Sequence, residues 1–490
     1  MVKLGSKSQE IYDLLQASHA VTFDDEEPAE NSIFFALLLR KPNTSGALFL
    51  WHAWRQLELY APQVRSLILQ LGKRSRWSVR FNWLEKCRYD GNAYADKALA
   101  NGAAFAVVDN VRKHRPPQTI LVDDVTETLY ELARCHRENL DIPIVGVTGS
   151  VGKTTTKFLV QAVLEEQFEV ASTKLSNKAV DLSQAILNIT NGAEAAVFEI
   201  GTVQPGLLRS TCELVRPTHG LITTVGVAHL DTFGSLENIQ EGKWEMFDFL
   251  DQNGGKAFVN MNHAWLASKA DSLRNTLQYG SQSENDIQGE LLSADPLLKV
   301  RWHLKDGNEQ THFDIQTQLA GQHNLDNVLA AIAVGYEMGI EPERICKAIE
   351  NFQPVENRSE IIRWGSNVVY NESFQSNPMA VLANLDSFSA FSAQKKILIL
   401  GYLARTEAAH PFYREVVEKV QDMDLDQVIF IGDVYNQFEK ENIGLHFSSV
   451  AEASAWLKAN PVRDTFVMLK GSIRLNLIRL LEDIPNDISD

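Results

Sequence analysis

A glycine-rich segment near residue 150 combines residue types that bind phosphate groups. It runs Val147-Thr-Gly-Ser-Val-Gly-Lys-Thr-Thr-Thr-Lys157. Glycines let backbone N–H groups close around phosphate oxygens, Lys153 could reach the β- and γ-phosphates, and the Thr154 hydroxyl could coordinate Mg²⁺. Val147 stands where the strict nucleotide-binding pattern has glycine. The segment still predicts a site for a nucleoside triphosphate, with these contacts: Gly149, Ser150, Gly152, Lys153, Thr154 and Thr155.

The surrounding sequence predicts the elements that would position this segment. Residues 142–147 form an apolar run typical of a buried parallel strand, and residues 158–164 are typical of a helix. Two further apolar runs, 195–200 and 220–225, predict strands of the same parallel sheet. Because ligands of such sheets bind beyond the carboxyl ends of the strands, we expect the loops after these strands to converge on the phosphate-binding segment.

Three polar residues near that edge have side chains suited to metal binding or catalysis. Glu199 ends a predicted strand, and a carboxylate beside a triphosphate is a natural Mg²⁺ ligand. His229, after the next strand, is a candidate second ligand, although taken alone each of the two is more often an ordinary loop residue. Lys243 lies in Glu241-Gly-Lys-Trp-Glu245, at the predicted start of an amphipathic helix, where a lysine is usually a solvated charge.

Length and composition indicate a soluble globular protein of about three domains. The 490 residues are 44% hydrophobic and 22% charged, and the net charge of −17 argues against general nucleic-acid binding. Four scattered cysteines suggest neither a disulfide framework nor a zinc site. We expect a cytoplasmic protein, because no signal peptide or membrane-spanning run is evident.

The segment 38–89 differs in composition from the rest of the chain. It holds ten Lys or Arg residues against two acids, and four of the nine tryptophans. One interpretation is an insert that binds nucleic acid or a membrane surface. The other is an insertion that decorates the first domain, which we favour because the basic and aromatic residues follow no helical or alternating period.

The order of predicted elements suggests three α/β domains. The first covers residues 1–140, the second residues 141–353 and the third residues 354–490. We expect strands in the third at residues 368–370, 396–400, 427–431 and 466–469, with helices between them, as in a small doubly wound domain. Residues 284–320 are predicted to be an extended, irregular excursion from the central sheet.

These motifs together resemble the Mur ligases, over nearly the whole chain except residues 38–89. The similarity depends on several ordered motifs, which are more specific together than any one alone. They include the phosphate-binding segment, Phe198-Glu-Ile-Gly201, Gly226-Val-Ala-His-Leu230, Gly321-Gln-His-Asn-Leu-Asp-Asn327, Asn357-Arg-Ser359, Ser376-Asn-Pro378 and Leu469-Lys-Gly-Ser472. The Asn-Arg-Ser and Ser-Asn-Pro motifs favour the branch of the family that uses D-alanyl-D-alanine.

The resemblance implies an α/β architecture of three domains: an N-terminal UDP-sugar-binding domain, a central P-loop ATPase domain and a C-terminal Rossmann-like domain. It also implies a reaction. The terminal carboxylate of a UDP-N-acetylmuramoyl-tripeptide attacks the γ-phosphate of ATP, and the amine of D-alanyl-D-alanine captures the resulting acyl phosphate. ATP and Mg²⁺ are then required, and we expect a cytoplasmic monomer that acts in peptidoglycan precursor synthesis.

The resemblance also assigns roles to individual residues. Glu199 and His229 lie near Mg²⁺ in the family, and the lysine that Lys243 matches is carbamylated there to support a second Mg²⁺. Lys153 and Mg²⁺ would screen the approach of two anions. The remaining nucleotide contacts implied are the adenine-side motif and an arginine from across the cleft: His323, Asn324, Asn327 and Arg358.

The chain departs from the family mainly at substrate-side positions. Val227 replaces a lysine, and Asp24-Asp-Glu26 stands where the family has an arginine near UDP. Other departures are Val151 for asparagine, Thr202-Val-Gln204, Lys178-Ala-Val-Asp-Leu182, Asn371-Glu-Ser-Phe-Gln375, Tyr402 and Ile473-Arg474.

Three functions therefore remain open from the sequence. The first is an active ligase of the D-alanyl-D-alanine branch, which we prefer because the ATP and metal positions are retained. The second is a non-catalytic relative that binds nucleotide. The third is a ligase for another acid and amine, as in folate polyglutamylation.

Overall fold

The computed structural model describes residues 6–17, 21–22, 33–35, 38–40, 88–173, 177–305, 312–355, 357–374, 376–403 and 411–482. The chain forms two compact units, the first of residues 1–140 with 183–189 and the second of residues 141–182 with 190–490. Most of the basic segment 38–89, and Asp24-Asp-Glu26, lie outside the described residues. No described helix is long and apolar enough to cross a membrane.

The first unit contains a four-stranded parallel sheet in the order β1-β2-β5-β6. Helix α3, predicted from residue 125 to about 139, is present; Asp124 caps its start by accepting a hydrogen bond from the Glu127 N–H. The described elements are α1 Ser6–Ala17, β1 Val21–Thr22, β2 Ile33–Phe35, β3 Leu38–Arg40, β4 Arg88–Asp90, α2 Ala95–Ala100, β5 Phe105–Val108, β6 Thr119–Leu121 and α3 Val125–Glu138.

The second unit begins with a nine-stranded sheet in the order β15-β14-β13-β12-β11-β10-β7-β9-β8. Strands β7 to β13 pair with one another in parallel, whereas β14 is antiparallel to both of its neighbours, β13 and β15. The bounds are β7 Ile144–Thr148, β8 Val170–Ser172, β9 Ala195–Glu199, β10 His219–Ile222, β11 Lys256–Asn260, β12 Thr276–Gly280, β13 Ile287–Ser293, β14 Leu297–Leu304 and β15 Phe313–Ala320.

The predicted excursion at residues 284–320 is wrong. These residues are extended, but they continue the sheet instead of leaving it. In β14 the side chains of Leu298, Val300 and Trp302 are fully buried, and the residues between them are partly exposed. This two-residue alternation of apolar and polar residues marks a strand with one covered face, and it is visible in the sequence of β14.

Helices cover the faces of the nine-stranded sheet. Helix α4, which follows β7, packs closely on α10. A Cβ atom on Gly335 of α10 would lie 2.5 Å from Cγ1 of Val163 of α4, so the absence of a side chain allows the two helices to approach. The helices of this part of the chain are α4 Lys153–Leu164, α5 Ala179–Leu187, α6 Leu207–Val215, α7 Leu230–Phe233, α8 Leu236–Asn253, α9 Ala264–Lys269, α10 Leu325–Glu337 and α11 Pro342–Asn351. Of these, α5 belongs to the first unit from residue 183 onwards.

The C-terminal part of the second unit is a six-stranded sheet in the order β16-β17-β21-β18-β19-β20. The four predicted strands are present, and β16, which is antiparallel to β17, and β20 were not predicted. The bounds are β16 Glu360–Trp364, β17 Asn367–Glu372, α12 Pro378–Ala390, β18 Lys396–Gly401, α13 Pro411–Gln421, β19 Gln427–Ile431, β20 Leu445–Phe447, α14 Val450–Ala459, β21 Phe466–Lys470 and α15 Arg479–Glu482.

Candidate functional site

The phosphate-binding loop joins β7 to α4 and depends on two glycines with left-handed backbone. Gly149 has φ +147° and Gly152 has φ +84°. A Cβ atom would lie 2.0 Å from Oγ1 of Thr223 at the first position and 2.5 Å from Oδ1 of Asn327 at the second. Both positions therefore exclude a side chain, and the loop leads directly into the N-terminus of α4, where the first backbone N–H groups of the helix favour an anion.

The loop is tied to the end of β10 by Ser150. Its hydroxyl donates to the carbonyl of Gly226 at 2.8 Å, and its backbone N–H donates to the carbonyl of Thr224 at 2.8 Å. Thr155, in the first turn of α4, is buried. The predicted convergence of the loops that follow β7 and β10 is thus visible in the hydrogen bonds.

Thr154 and Glu199 place two side-chain oxygen groups next to each other beside the loop. The Thr154 hydroxyl donates to Oε2 of Glu199 at 2.7 Å, and Oε1 of Glu199 accepts from Nδ2 of Asn177 at 2.8 Å. No sequence pattern pointed to Asn177, which lies between β8 and the departing residues 178–182. The described residues contain no cluster of three or more acidic, His or Cys side chains that could hold a metal. Thr154 and Glu199 offer hydroxyl and carboxylate oxygens, which is the donor type that Mg²⁺ prefers alongside phosphate oxygens and water.

Two lysines converge on the carbonyl of Gly149. Nζ of Lys153 donates to it at 3.0 Å and Nζ of Lys243 at 2.9 Å. Burial lowers the pKa of Lys153, an effect that the charge of Glu199 opposes and that of Arg358 reinforces. Burial, reinforced by the charge of Lys153, lowers the pKa of Lys243 to about 7. Near neutral pH a large fraction of Lys243 is therefore an uncharged amine.

The interpretation of Lys243 as a solvated charge at a helix start is wrong. Helix α8 begins at Leu236, where Ser235 caps it, so Lys243 lies in the second turn and faces inward. Only 2% of Lys243 is exposed. A lysine is rarely buried without a specific partner, and here the partner is the phosphate-binding loop.

His229 lies in the loop after β10 and, unlike Lys243 and Glu199, is exposed. Its φ is +56°, and its carbonyl accepts the backbone N–H groups of Thr232 and Phe233, which starts the short helix α7. Its role at a metal stays a prediction. Val227, two residues earlier, has 42% of its surface exposed where the family has a lysine.

The motif after β15 forms a buried polar cluster. Asn327 accepts from the Thr156 hydroxyl at 2.9 Å and donates to Oδ1 of Asn324 at 2.9 Å. Asn324 donates in turn to the Ser359 hydroxyl at 2.8 Å. Nδ1 of His323 lies 3.3 Å from the Ser387 hydroxyl, and burial lowers the pKa of this imidazole. The motif thus lies between α4 and the C-terminal sheet.

Arg358 lies on the C-terminal side of this cluster. Its guanidinium stacks on the ring of Phe374, 3.7 Å from the ring centroid. Its charge contributes to lowering the pKa of Lys153, so the two cations lie within electrostatic reach of each other. An anion between them would relieve that repulsion.

Three buried residues of this region were not predicted as site residues, although Ser359 and Lys470 lie in two of the quoted motifs. Ser359 and Glu372 hydrogen bond to each other at 2.8 Å, and Lys470 lies 3.9 Å from the other oxygen of Glu372. Burial lowers the pKa of Lys470 to about 8. Glu372 lies in a stretch that the sequence marked only as a departure from the family, and a buried glutamate at a strand end has no periodic signal.

Comparison with known proteins identifies the central region. Residues 147–335 match the model of the Mur ligase middle domain. These residues form a Mur ligase middle domain. They span the phosphate-binding loop, Glu199, Lys243 and the motif after β15. The predicted recognition of a Mur ligase is confirmed.

Curated relatives extend the similarity beyond the middle domain. The chain is 28% identical to the UDP-N-acetylmuramoyl-tripeptide–D-alanyl-D-alanine ligase of Bacillus subtilis over 418 residues, which is 81% of this chain and 88% of the relative. It is 26% identical to the ligase of the same name from Escherichia coli over 371 residues, 74% of this chain and 80% of the relative.

Solved structures show the same fold along the chain. The MurF ligase of Thermotoga maritima in complex with ADP aligns with a TM-score of 0.73 at 22% identity and covers 96% of this chain and 97% of that one. A MurF structure from Acinetobacter baumannii aligns with a TM-score of 0.73 at 19% identity, covering 96% of this chain and 98% of that one. The predicted fold class, the multi-domain Mur ligase architecture, is confirmed.

Proposed function

We propose that this protein is an ATP-dependent ligase that joins D-alanyl-D-alanine to UDP-N-acetylmuramoyl-tripeptide. The observation that carries the proposal is the convergence of Thr154, Glu199, Lys153 and Lys243 on one phosphate-binding loop. These residues fit Mg²⁺ and a triphosphate in donor type and in charge. The choice of acid and amine follows the names of the curated relatives.

The reaction must bring two anions together. The tripeptide carboxylate attacks the γ-phosphorus of ATP, the bond to the β-phosphate oxygen breaks, and ADP leaves. The amine of D-alanyl-D-alanine then attacks the acyl carbon, loses a proton and displaces inorganic phosphate. Bound Mg²⁺ supplies charge neutralisation at the phosphates. The backbone of the loop holds the β-phosphate, and Lys153 compensates negative charge that grows during transfer.

Lys243 has the properties that a carbamate requires. Only a neutral amine reacts with CO₂, and its lowered pKa provides that form near neutral pH. The product would be an anion at the phosphate-binding loop, suited to support a second Mg²⁺. Thr154 and Glu199 would hold the first ion, with His229 as a further candidate. On the nucleotide side we propose His323, Asn324, Asn327 and Arg358.

The retained ATP-side geometry favours an enzyme over a non-catalytic nucleotide-binding relative. A ligase for another acid and amine has one specific observation in its favour, the exposed Val227 where the family presents a lysine. A folylpolyglutamate synthase from Thermotoga maritima shares the fold with a TM-score of 0.53 at 14% identity, but that likeness concerns the fold alone.

The remaining parts of the proposal concern organisation and setting. We propose that residues 1–140 bind the UDP-sugar, that residues 141–353 bind ATP, and that residues 354–490 close over the nucleotide. The protein would act as a cytoplasmic monomer, where ATP is available. Three of its cysteines, Cys135, Cys212 and Cys346, are free thiols, in keeping with a reducing compartment.

One assay separates the alternatives. ADP release would be measured with UDP-N-acetylmuramoyl-tripeptide, with and without D-alanyl-D-alanine. Release that depends on both substrates supports the proposal. Release that appears only with a different acid and amine, such as a folate and glutamate, would favour the other ligase class. ATP binding with no release under any pair would favour the non-catalytic relative.

A further inference from the structure

Four side-chain hydrogen bonds run head to tail between the first turn of α4 and the C-terminal sheet. The Thr156 hydroxyl donates to Oδ1 of Asn327 at 2.9 Å, and Nδ2 of Asn327 donates to Oδ1 of Asn324 at 2.9 Å. Nδ2 of Asn324 donates to the Ser359 hydroxyl, which donates to Oε1 of Glu372, both at 2.8 Å. We call these five residues the hydroxyl–amide relay.

The hydroxyl–amide relay is buried along its whole length. The most exposed member, Asn327, has 6% of its surface accessible, and Thr156 has none. Hydrogen bonds that point the same way in a low-dielectric interior polarise and strengthen one another. Removal of any one member leaves a buried donor or acceptor unpaired, so the links depend on each other.

The Glu372 end is fixed within the C-terminal sheet. Oε1 also accepts the backbone N–H of Ser359 at 2.7 Å and the Tyr370 hydroxyl at 3.3 Å. Oε2 lies 3.9 Å from Nζ of Lys470, which pairs with Glu372 in the register of β17 and β21 and donates to Asn384 at 2.8 Å. The carboxylate therefore moves with this sheet.

The other end lies against the phosphate-binding loop. Thr156 is three residues after Lys153 in α4, and its backbone N–H donates to the carbonyl of Gly152 at 2.9 Å. Oδ1 of Asn327 lies only 2.5 Å from the position that a Cβ atom on Gly152 would occupy. A shift of Asn327 would consequently be felt at Gly152 itself.

We propose that Glu372 is a positioning residue that couples the C-terminal sheet to the phosphate-binding loop through the hydroxyl–amide relay. The proposal rests on the proposed function, because it takes the loop to be the nucleotide site. Both amide atoms of Asn324 and Asn327 are engaged in the relay. These two motif asparagines thus set the affinity for nucleotide by holding the loop, from outside the phosphate contacts.

A double-mutant cycle on ADP affinity tests the coupling. Thr156→Val and Ser359→Ala each remove one hydroxyl at opposite ends, and calorimetry measures ADP binding to the full chain with Mg²⁺. We expect each variant to weaken binding about 5- to 30-fold, and the double variant to be no weaker than the worse single one. Effects that multiply in the double variant would overturn the proposal. Thr156→Ser keeps the hydroxyl and should bind within about 2-fold of the parent chain.

Hydrogen exchange measured without nucleotide distinguishes the relay from a local structural role of Ser359. A local role would change exchange only near Ser359, whereas the relay would also change it at α4. In Ser359→Ala we expect faster exchange of the Thr156 amide and of the amides in the next turn of α4, with α13 unchanged as the control. Faster exchange confined to residues 357–374 would contradict the relay. If Ser359→Ala does not fold, Glu372→Gln replaces it in both experiments. If the parent chain binds no ADP, the proposed function fails, while the exchange result still decides the relay.

Discussion

The charged group of Lys153 contacts the phosphate-binding loop directly. Its ammonium group bonds to the carbonyls of Gly149 and Ser150, positions that lie within the loop itself. Burial disfavours its charged form, and Glu199 opposes that effect. A triphosphate would supply the missing negative charge, so the unliganded loop is electrostatically prepared for an anion.

Lys153→Ala should reduce ATP turnover by at least ~100-fold, equivalent to about 3 kcal/mol of transition-state stabilisation. The physical reason is that negative charge on the transferring phosphoryl group loses its nearest cation. Steady-state ADP release measures the effect. Lys347→Ala, on the exposed face of α11, is the matched control for the loss of one positive charge. Equal turnover in Lys153→Ala and the parent chain would refute the assignment of the loop.

Lys243→Ala should lose activity and regain part of it when short-chain carboxylic acids are added. An added carboxylate replaces the negative group that a carbamate would provide beside the loop. Turnover is measured against acetate or formate concentration, with Lys153→Ala as the control that should not recover. Full activity of Lys243→Ala in the absence of added acid would show that no carbamate is needed.

Helices α4 and α10 carry the two ends of the central site. The first bears Lys153 and Thr154, and the second bears Asn327, so the distance between the helices sets the distance between these groups. Gly335 permits the close packing, since a Cβ atom there would lie 3.1 Å from Ile345 as well as 2.5 Å from Val163. Gly335 lies eight residues from Asn327 along α10, which is more than ~10 Å at the rise of an α-helix. The geometry of the site thus depends on helix packing at a distance from the nucleotide.

Gly335→Ala should lower the free energy of unfolding by about 1–3 kcal/mol, because overpacking outweighs the better helix propensity of alanine. Urea denaturation measures the change. Gly192→Ala is the matched control, since its nearest neighbour would be 3.9 Å away and little should change. The second change Val163→Ala should recover part of the loss by making room. Greater loss in that double variant would contradict steric crowding as the cause.

The sequence was sufficient for the elements whose pattern is local. The strand, loop and helix around Lys153, and four of the five parallel strands of the C-terminal sheet, follow from apolar runs and glycine spacing. It failed where the partner is distant in the chain. Asn177 and Glu372 acquire their contacts only through folding, and Lys243 looked solvated because the loop that covers it lies 94 residues away. Burial of a charge has no signature in its immediate neighbours.

Taken from end to end, the chain concentrates its nucleotide chemistry in the second unit. That unit contains the phosphate-binding loop, the Thr154–Glu199 pair and the hydroxyl–amide relay. The basic, Trp-rich segment 38–89 belongs to the first unit by its position in the chain. Nucleotide binding should therefore not need this segment.

Excision of residues 41–87 should leave ADP affinity within about 3-fold of that of the full chain, because no residue of the proposed nucleotide site is removed. Calorimetry with Mg²⁺ and ADP measures it, after circular dichroism has shown that the variant is folded. The ends to be joined, Arg40 and Arg88, pair in adjacent antiparallel strands, so a short turn can connect them. A folded variant that has lost ADP binding would make the segment part of the nucleotide site.

Lys153 and Lys243 both donate to the carbonyl of Gly149, and this arrangement predicts that nucleotide binding is accompanied by proton uptake. Lys243 has a pKa of about 7 in the folded protein, well below that of a free lysine. At pH 8 only a small fraction of Lys243 is therefore protonated, and the negative charge of a bound polyphosphate would favour full protonation. We expect ADP binding in CO₂-depleted buffer to take up ~1 proton at pH 8 and fewer at pH 6, where Lys243 is already protonated before ADP binds.

The same lowered pKa makes the unfolded chain hold more protons than the folded one between pH ~7 and pH ~10. The contribution of Lys243 to the free energy of unfolding therefore rises with pH across that window. Binding heats that do not change with the ionisation enthalpy of the buffer would show that no proton accompanies the nucleotide. Binding of a phosphate group at this loop and protonation of Lys243 are therefore coupled equilibria.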